Sequence, residues 1–393
     1  MENLLIKNAQ VVTPNGVLKN GSVSIANGKI TNVGITPIEA AADRIIDADG
    51  AYLIPGIVDV HTDALEVEIV PRHAADFPIR VAFYELEKKM AACGITTVYH
   101  SLHLGYKKAE KVHGSKYSRR EIFEEVYKLC QEPTLINNKI HLRFEITGPY
   151  HYDLVMELIS NNKVHLVSLM DHTPGQGQFS REEFIKLTMN TGVSEEDAIK
   201  QYEEANQSSR VSTNDLQALV NLCKEKGIKV ASHDDDTADK VNSMEAMGVD
   251  ISEFPVSEIA CKTAINHNMD TIGGGANVLR GGSLSGNLNV QDAIEKGLIN
   301  CLSSDYYPPS LIHSVFKLKY DESTSMEEAV KIVSTNPAKS MSLNNIGSIE
   351  PCKSADIVIV NEWNSMPVIK NVLVNGVEVI STNLQFKEEP VLA

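Results

Sequence analysis

The chain has 393 residues, 42% of them apolar and 22% charged, which excludes a disordered chain and fits one large enzyme domain with a smaller module. A net charge of −16 argues against nucleic acid or an anionic membrane as partner, but not against an anionic small substrate held by a metal or a few arginines. The six cysteines (Cys93, Cys130, Cys223, Cys261, Cys301, Cys352) are scattered without a CxxC pair, which suits buried thiols in a reducing cytoplasm. The N-terminus lacks the pattern of a signal peptide, and no stretch approaches the ~20 apolar residues of a membrane span.

Residues 1–54 read as short strands joined by tight turns at Asn15-Gly16, Asn20-Gly21 and Asn27-Gly28, because Asn-Gly suits positive φ. The end from 347 has the same texture, with Asp356–Val360 and then Val372–Ile380 around Asn375-Gly376. Neither end makes a sheet core alone. We therefore expect 1–54 and 347–393 to pair into a small β-sandwich module around a central unit at 55–346. In that unit, strands are expected at 57–63, 95–100, 141–147, 165–172, 229–234, 251–256, 271–275 and 300–305. Helices are expected at 81–92, 119–131, 181–206, 212–226, 238–247 and 325–334. Near-continuous apolar strands alternating with helices predict an α/β fold with a parallel sheet covered on both faces. Eight of them over about 250 residues predict a (β/α)₈ barrel. A doubly wound sheet is the competing fold, but no Gly-x-Gly-x-x-Gly follows the first strand.

A barrel carries its chemistry at the C-terminal ends of its strands. His61 and Asp63 end the first, two residues apart and so on one side. Glu145, His172, His233 and Asp305 end four others. A lone His at a strand end is usually structural; five strands each delivering a His or a carboxylate point to a metal. Imidazole with carboxylate suits Zn²⁺ first, with Mn²⁺ or Fe²⁺ as alternatives. So many ligands exceed the needs of one tetrahedral ion, so a binuclear centre bridged by Glu145 is expected.

Pro55-Gly56-Ile57-Val58-Asp59-Val60-His61, the late Ser304-Asp305, Asn336-Pro337-Ala338 and the split β module together resemble the amidohydrolase superfamily. Two features depart from it: Asp63 stands where most members have a second His, and no Lys sits where many carry a carbamylated bridge. The expected ligands also fall on strands one, three, four, five and eight, where the superfamily often uses one, four, five, six and eight. A narrower resemblance rests on His61-Thr62-Asp63, Ser168–Gln176, Ala231–Asp235, Asn277–Ser283, Ser285-Gly286-Asn287 and Ser303–Pro308. These are similar to the triphosphate diphosphatase family of the carbon–phosphorus lyase pathway, in which His-x-Asp is the rule. That resemblance implies metal-dependent hydrolysis of a phosphorylated sugar, α-D-ribose 1-methylphosphonate 5-triphosphate, to the 5-phosphate and pyrophosphate. It also implies that Asp305, besides ligating, orients the water and takes its proton.

The substrate side needs cations and backbone donors. Gly273–Asn287 offers glycines, Asn277, Arg280, Ser283 and Ser285, and Arg72 is a second phosphate candidate. The bland alternatives are a barrel loop with glycines at turns and a surface arginine. Arg143, two residues before Glu145, reads as a structural ion pair, and Asp234-Asp235-Asp236 as support for His233 or a solvated turn. Competing functions are an amidohydrolase or deaminase acting on a C–N bond, and a non-catalytic metal-binding scaffold. A homo-oligomer is left open.

Overall fold

The computed structural model describes residues 2–37, 42–72, 75–104, 115–173, 177, 181–190, 192–206, 209–283 and 287–383. Five strands open the chain: β1 (Leu4–Thr13), β2 (Gly16–Ala26), β3 (Lys29–Gly34), β4 (Arg44–Asp47) and β5 (Tyr52–Pro55). Eight more make the barrel wall: β6 (Ile57–Thr62), β7 (Ile95–Leu104), β8 (Asn137–Glu145), β9 (Leu166–Met170), β10 (Lys229–His233), β11 (Ile251–Glu253), β12 (Asp270–Gly274) and β13 (Cys301–Ser303). Three close the chain: β14 (Ile357–Trp363), β15 (Met366–Val374) and β16 (Val377–Ser381).

The two ends form one hydrogen-bonded sheet in the order β16-β15-β14-β5-β1-β2-β3, with β4 beside β1. The join is β14 on β5, antiparallel, with Ile357 opposite Pro55 and Val360 opposite Tyr52. The sheet folds over a core that includes Ile6, Val11, Val23, Leu53, Ile357 and Leu373. Its outer hairpins meet so closely that a Cβ on Gly376 would lie 2.8 Å from Gly28 Cα. Asn27-Gly28 and Asn375-Gly376 are turns, all four residues at positive φ. Asn20-Gly21 is not a turn. It lies inside β2, where the pairing to β1 slips on either side of Ala9, opposite Gly21, and a Cβ on Gly21 would meet Val11 at 2.7 Å. Asn-Gly marks a need for positive φ, and an irregular strand meets that need as well as a turn does.

Each barrel strand lies where the apolar runs place it, all parallel and in sequence order from β6 to β13. The ends meet as well. Asp63 N–H donates to Asp305 C=O at 2.8 Å, and Asp305 N–H to His61 C=O at 3.0 Å, which excludes an open doubly wound sheet. Outward residues such as Ile140, Leu142 and Phe144 pack on the helices. Inward residues Val58, Val60, Tyr99, Leu166, Ala231, Ile251 and Ile272 fill the interior, with Ala338 and Met341 among them. The stretch expected as one helix at 181–206 divides into Arg181–Asn190 and Glu195–Asn206, with Gly192 at φ 92° between them. Among the described residues no helix is long and apolar enough to cross a membrane.

Candidate metal centre

The apolar layer inside the barrel gives way, at the C-terminal ends of the strands, to buried polar groups. His61, His141, Glu145, Ser168, His233, Asp234 and Glu253 are all less than 5% exposed. Alternation along each parallel strand sets this arrangement: the residues that face inward near the strand end face the same space.

Among the described residues, three overlapping groups of ligand atoms fall within 4.8 Å of one another: His61, Asp63 and Asp305; His172, His233 and Asp234; and His61, His233 and Glu253. The first two share no residue. His61 Nε2 is buried with no hydrogen-bond partner, and His233 Nδ1 faces Asp234 Oδ2 at 3.2 Å. Buried imidazole nitrogens beside carboxylates fit a divalent cation, and Zn²⁺, Mn²⁺ and Fe²⁺ all accept such a set.

Each of the outer histidines is gripped from behind. His61 Nδ1 lies 2.8 Å from Glu253 Oε1, and His172 Nδ1 lies 2.5 Å from Glu145 Oε2. Burial pulls the His61 imidazolium down in pKa, but Glu253 and Asp63 outweigh that and hold it up to about 10. Burial likewise pushes Glu253 and Asp63 up, and their cationic neighbours more than reverse it: His61 for Glu253, Arg143 for Asp63.

Arg143 stands between the two disjoint groups. Its Nη1 donates to both oxygens of Asp63, at 2.8 and 2.7 Å, and its Nη2 lies 3.4 Å from His233 Nε2. The expected ion pair is therefore present, and it sits within the site. Asp305 occupies a left-handed backbone position, φ 58°, at the seam between β13 and β6. Burial raises its carboxyl pKa, and Asp63 adds to the rise.

A cavity of about 590 Å³ opens on this end and is lined by Arg143, His172, His233, Asp234 and Asp305 on one side and by Asn277, Arg280 and Ser283 on the other. Arg280 donates to the Tyr306 hydroxyl and, at 3.4 Å, to Gly282 C=O. Asn277 is committed to structure: its side chain bonds Leu288 C=O and Val290 N–H at 3.0 and 3.1 Å. The glycines at the start of this stretch serve packing, since a Cβ on Gly273 would meet Val290 at 2.7 Å and one on Gly275 would meet Ser310 at 2.8 Å. Arg72 is exposed and is not among the residues lining the cavity. Ser285 lies outside the described residues.

Glu145 does not stand between the two disjoint groups. One oxygen faces His172 Nδ1, and the other accepts from Thr147 Oγ1 at 2.8 Å. The strand count is as expected: Glu145 ends the third barrel strand, and the sixth contributes Glu253. Sequence reasoning passed over Glu253 although it shares the signal of the others, a charged residue at the end of a short apolar strand, Ile251-Ser252-Glu253.

Comparison with known proteins identifies the family. The sequence profile of the Amidohydrolase family matches residues 176–379. The alpha-D-ribose 1-methylphosphonate 5-triphosphate diphosphatase of Escherichia coli (strain K12) is 33% identical over 91% of this chain and 94% of its own. The 5-methylthioadenosine/S-adenosylhomocysteine deaminase of Caldicellulosiruptor saccharolyticus is 23% identical over 93% of this chain and 86% of its own. Among solved structures, a D-hydantoinase superposes with a TM-score of 0.64 at 15% identity, covering 96% of this chain and 95% of its own, which speaks for the fold. With the barrel, the split β module and the ligand groups at the strand ends, the chain belongs to the amidohydrolase family and is a hydrolase of that superfamily.

Proposed function

We propose that this hydrolase cleaves α-D-ribose 1-methylphosphonate 5-triphosphate to the 5-phosphate and pyrophosphate. The observation that carries the reading is the near full-length similarity to the Escherichia coli diphosphatase. The cavity supports it, with carboxylates and histidines at one side and Arg280 and Ser283 at the other.

We assign two divalent ions, Zn²⁺ first, one to His61, Asp63 and Asp305 and one to His172, His233 and Asp234. Bound there, they supply Lewis acidity and lower the pKa of water. The residues do the rest. Asp305 orients the attacking water and takes its proton as the water oxygen bonds the α-phosphorus. The bond to the bridging α–β oxygen breaks, and pyrophosphate leaves with that oxygen. Arg280 and Ser283 hold the terminal phosphates, where a guanidinium offsets charge on the leaving group.

The test is pyrophosphate release from the ribosyl triphosphate by purified, metal-loaded protein, with ammonia release from 5′-deoxyadenosine as the contrasting assay. Pyrophosphate with no ammonia supports the proposal. Ammonia without pyrophosphate moves the chain to the C–N branch of its family.

A further inference from the structure

We infer that Glu253 and Glu145 are positioning residues: each holds the Nδ1 edge of one histidine so that its Nε2 is presented to the metal centre. The inference rests on reading the site as a metal centre, and it concerns residues that stand behind that centre.

The two grips have the same construction. Glu253 Oε1 faces His61 Nδ1 at 2.8 Å, and Glu145 Oε2 faces His172 Nδ1 at 2.5 Å. Both carboxylates are fully buried, and neither lines the cavity. A carboxylate can only accept, so Nδ1 carries a proton, and the lone pair that a metal would take is the one Nε2 exposes on losing its own. His61 Nε2 is buried without a partner, 3.6 Å from Asp63 Oδ1, and His172 Nε2 lies 3.9 Å from Asp234 Oδ2.

Each carboxylate is also braced through its other oxygen, which fixes the ring it holds. Glu253 Oε2 accepts from Ser168 Oγ at 2.6 Å. Ser168 then accepts from His141 Nε2 at 2.6 Å, and Ser101 Oγ donates to His141 Nδ1 at 3.2 Å. This row crosses the barrel interior, and every donor along it points toward Glu253. Glu145 Oε1 accepts from Thr147 Oγ1 at 2.8 Å and from His172 N–H at 3.2 Å.

The experiment is a chelator-competition titration of Zn²⁺ into metal-stripped full-length protein, with metal content by elemental analysis. The variants are Glu253→Gln, Glu253→Ala, Ser168→Ala and His61→Ala, and the parallel set on Glu145, Thr147 and His172. Loss of the carboxylate is expected to weaken affinity about 10- to 100-fold while stoichiometry stays at the wild-type value. The Gln variants, which keep an acceptor for Nδ1–H, are expected to fall between wild type and Ala. In Zn²⁺-loaded wild type, ¹H–¹⁵N correlation of the His61 ring is expected to show Nδ1 protonated, and the Ala variant to lose that signature. Should Glu253→Ala fail to fold, Ser168→Ala and Glu253→Gln carry the test. Unchanged affinity in all variants overturns the inference, and so does a loss of bound metal in Glu253→Ala equal to that in His61→Ala, which would make the glutamate a ligand. Wild-type protein that binds no Zn²⁺ sinks the metal reading together with the inference.

Discussion

At the scale of single residues the site is a problem in charge balance. Asp63, Glu253 and Asp305 crowd one end of the barrel, and Arg143 and the His61 imidazolium are cations set among them. Arg143 and Asp63 are partly buried, so removing one partner is expected to cost about 1–3 kcal/mol, between the exposed and the fully buried case. Arg143→Met is therefore expected to destabilise the chelator-treated protein by that order and the metal-loaded protein by much less; equal losses in denaturant melts of the two forms would refute this balance. Asp59, fully buried and bonded by Ser304 N–H and Oγ, gives a second prediction. Burial lifts its carboxyl from 3.8 to about 6. With the folded value above the unfolded one, its contribution is complete below the unfolded pKa and is lost as pH rises through about 6. Asp59→Asn should therefore gain on wild type by about 2 kcal/mol between about pH 4 and pH 7, measured by urea unfolding. A gap that does not change with pH would exclude the mechanism. Asp59 could not be weighed from sequence, because burial of a carboxylate within a strand depends on which strands surround it. His61, Asp305 and the overlooked Glu253 could, because a charged residue ending an apolar run is visible without its neighbours.

At the scale of elements, the barrel strands were the legible part. Apolar runs of the right length between amphipathic helices have few other folds open to them. The β module was harder, since short alternating strands with Asn-Gly pairs fix neither their partners nor which pair makes a turn, as Asn20-Gly21 illustrates. The junction between module and barrel is set by one glycine. A Cβ on Gly56 would lie 2.1 Å from Thr96 Oγ1 and 2.6 Å from its Cγ2. Gly56→Ala is expected to cost about 2 kcal/mol through overpacking between β6 and β7. Adding Thr96→Ala is expected to recover much of that loss in thermal melts, and strictly additive effects would count against direct contact.

At the scale of the whole molecule, strands from opposite halves of the chain complete one another twice: β5 with β14 in the module, and β6 with the Asp305 seam in the barrel. Thr62 Oγ1 reaches Asp305 C=O at 3.0 Å across 243 residues of sequence. Contacts of that separation form late, because the loop they close must be ordered first. On refolding, hydrogen-exchange protection of β8, β9 and β10 is expected to precede the gain of affinity for the ion assigned to His61, Asp63 and Asp305, and simultaneous appearance of the two would argue otherwise. Five of the six ligands expected from sequence precede Asp305 in the chain. A polypeptide emerging from the ribosome thus carries nearly all its donor groups before it has a wall to hold them. Tight capture at the His61, Asp63 and Asp305 group would then report that the last barrel strand has arrived.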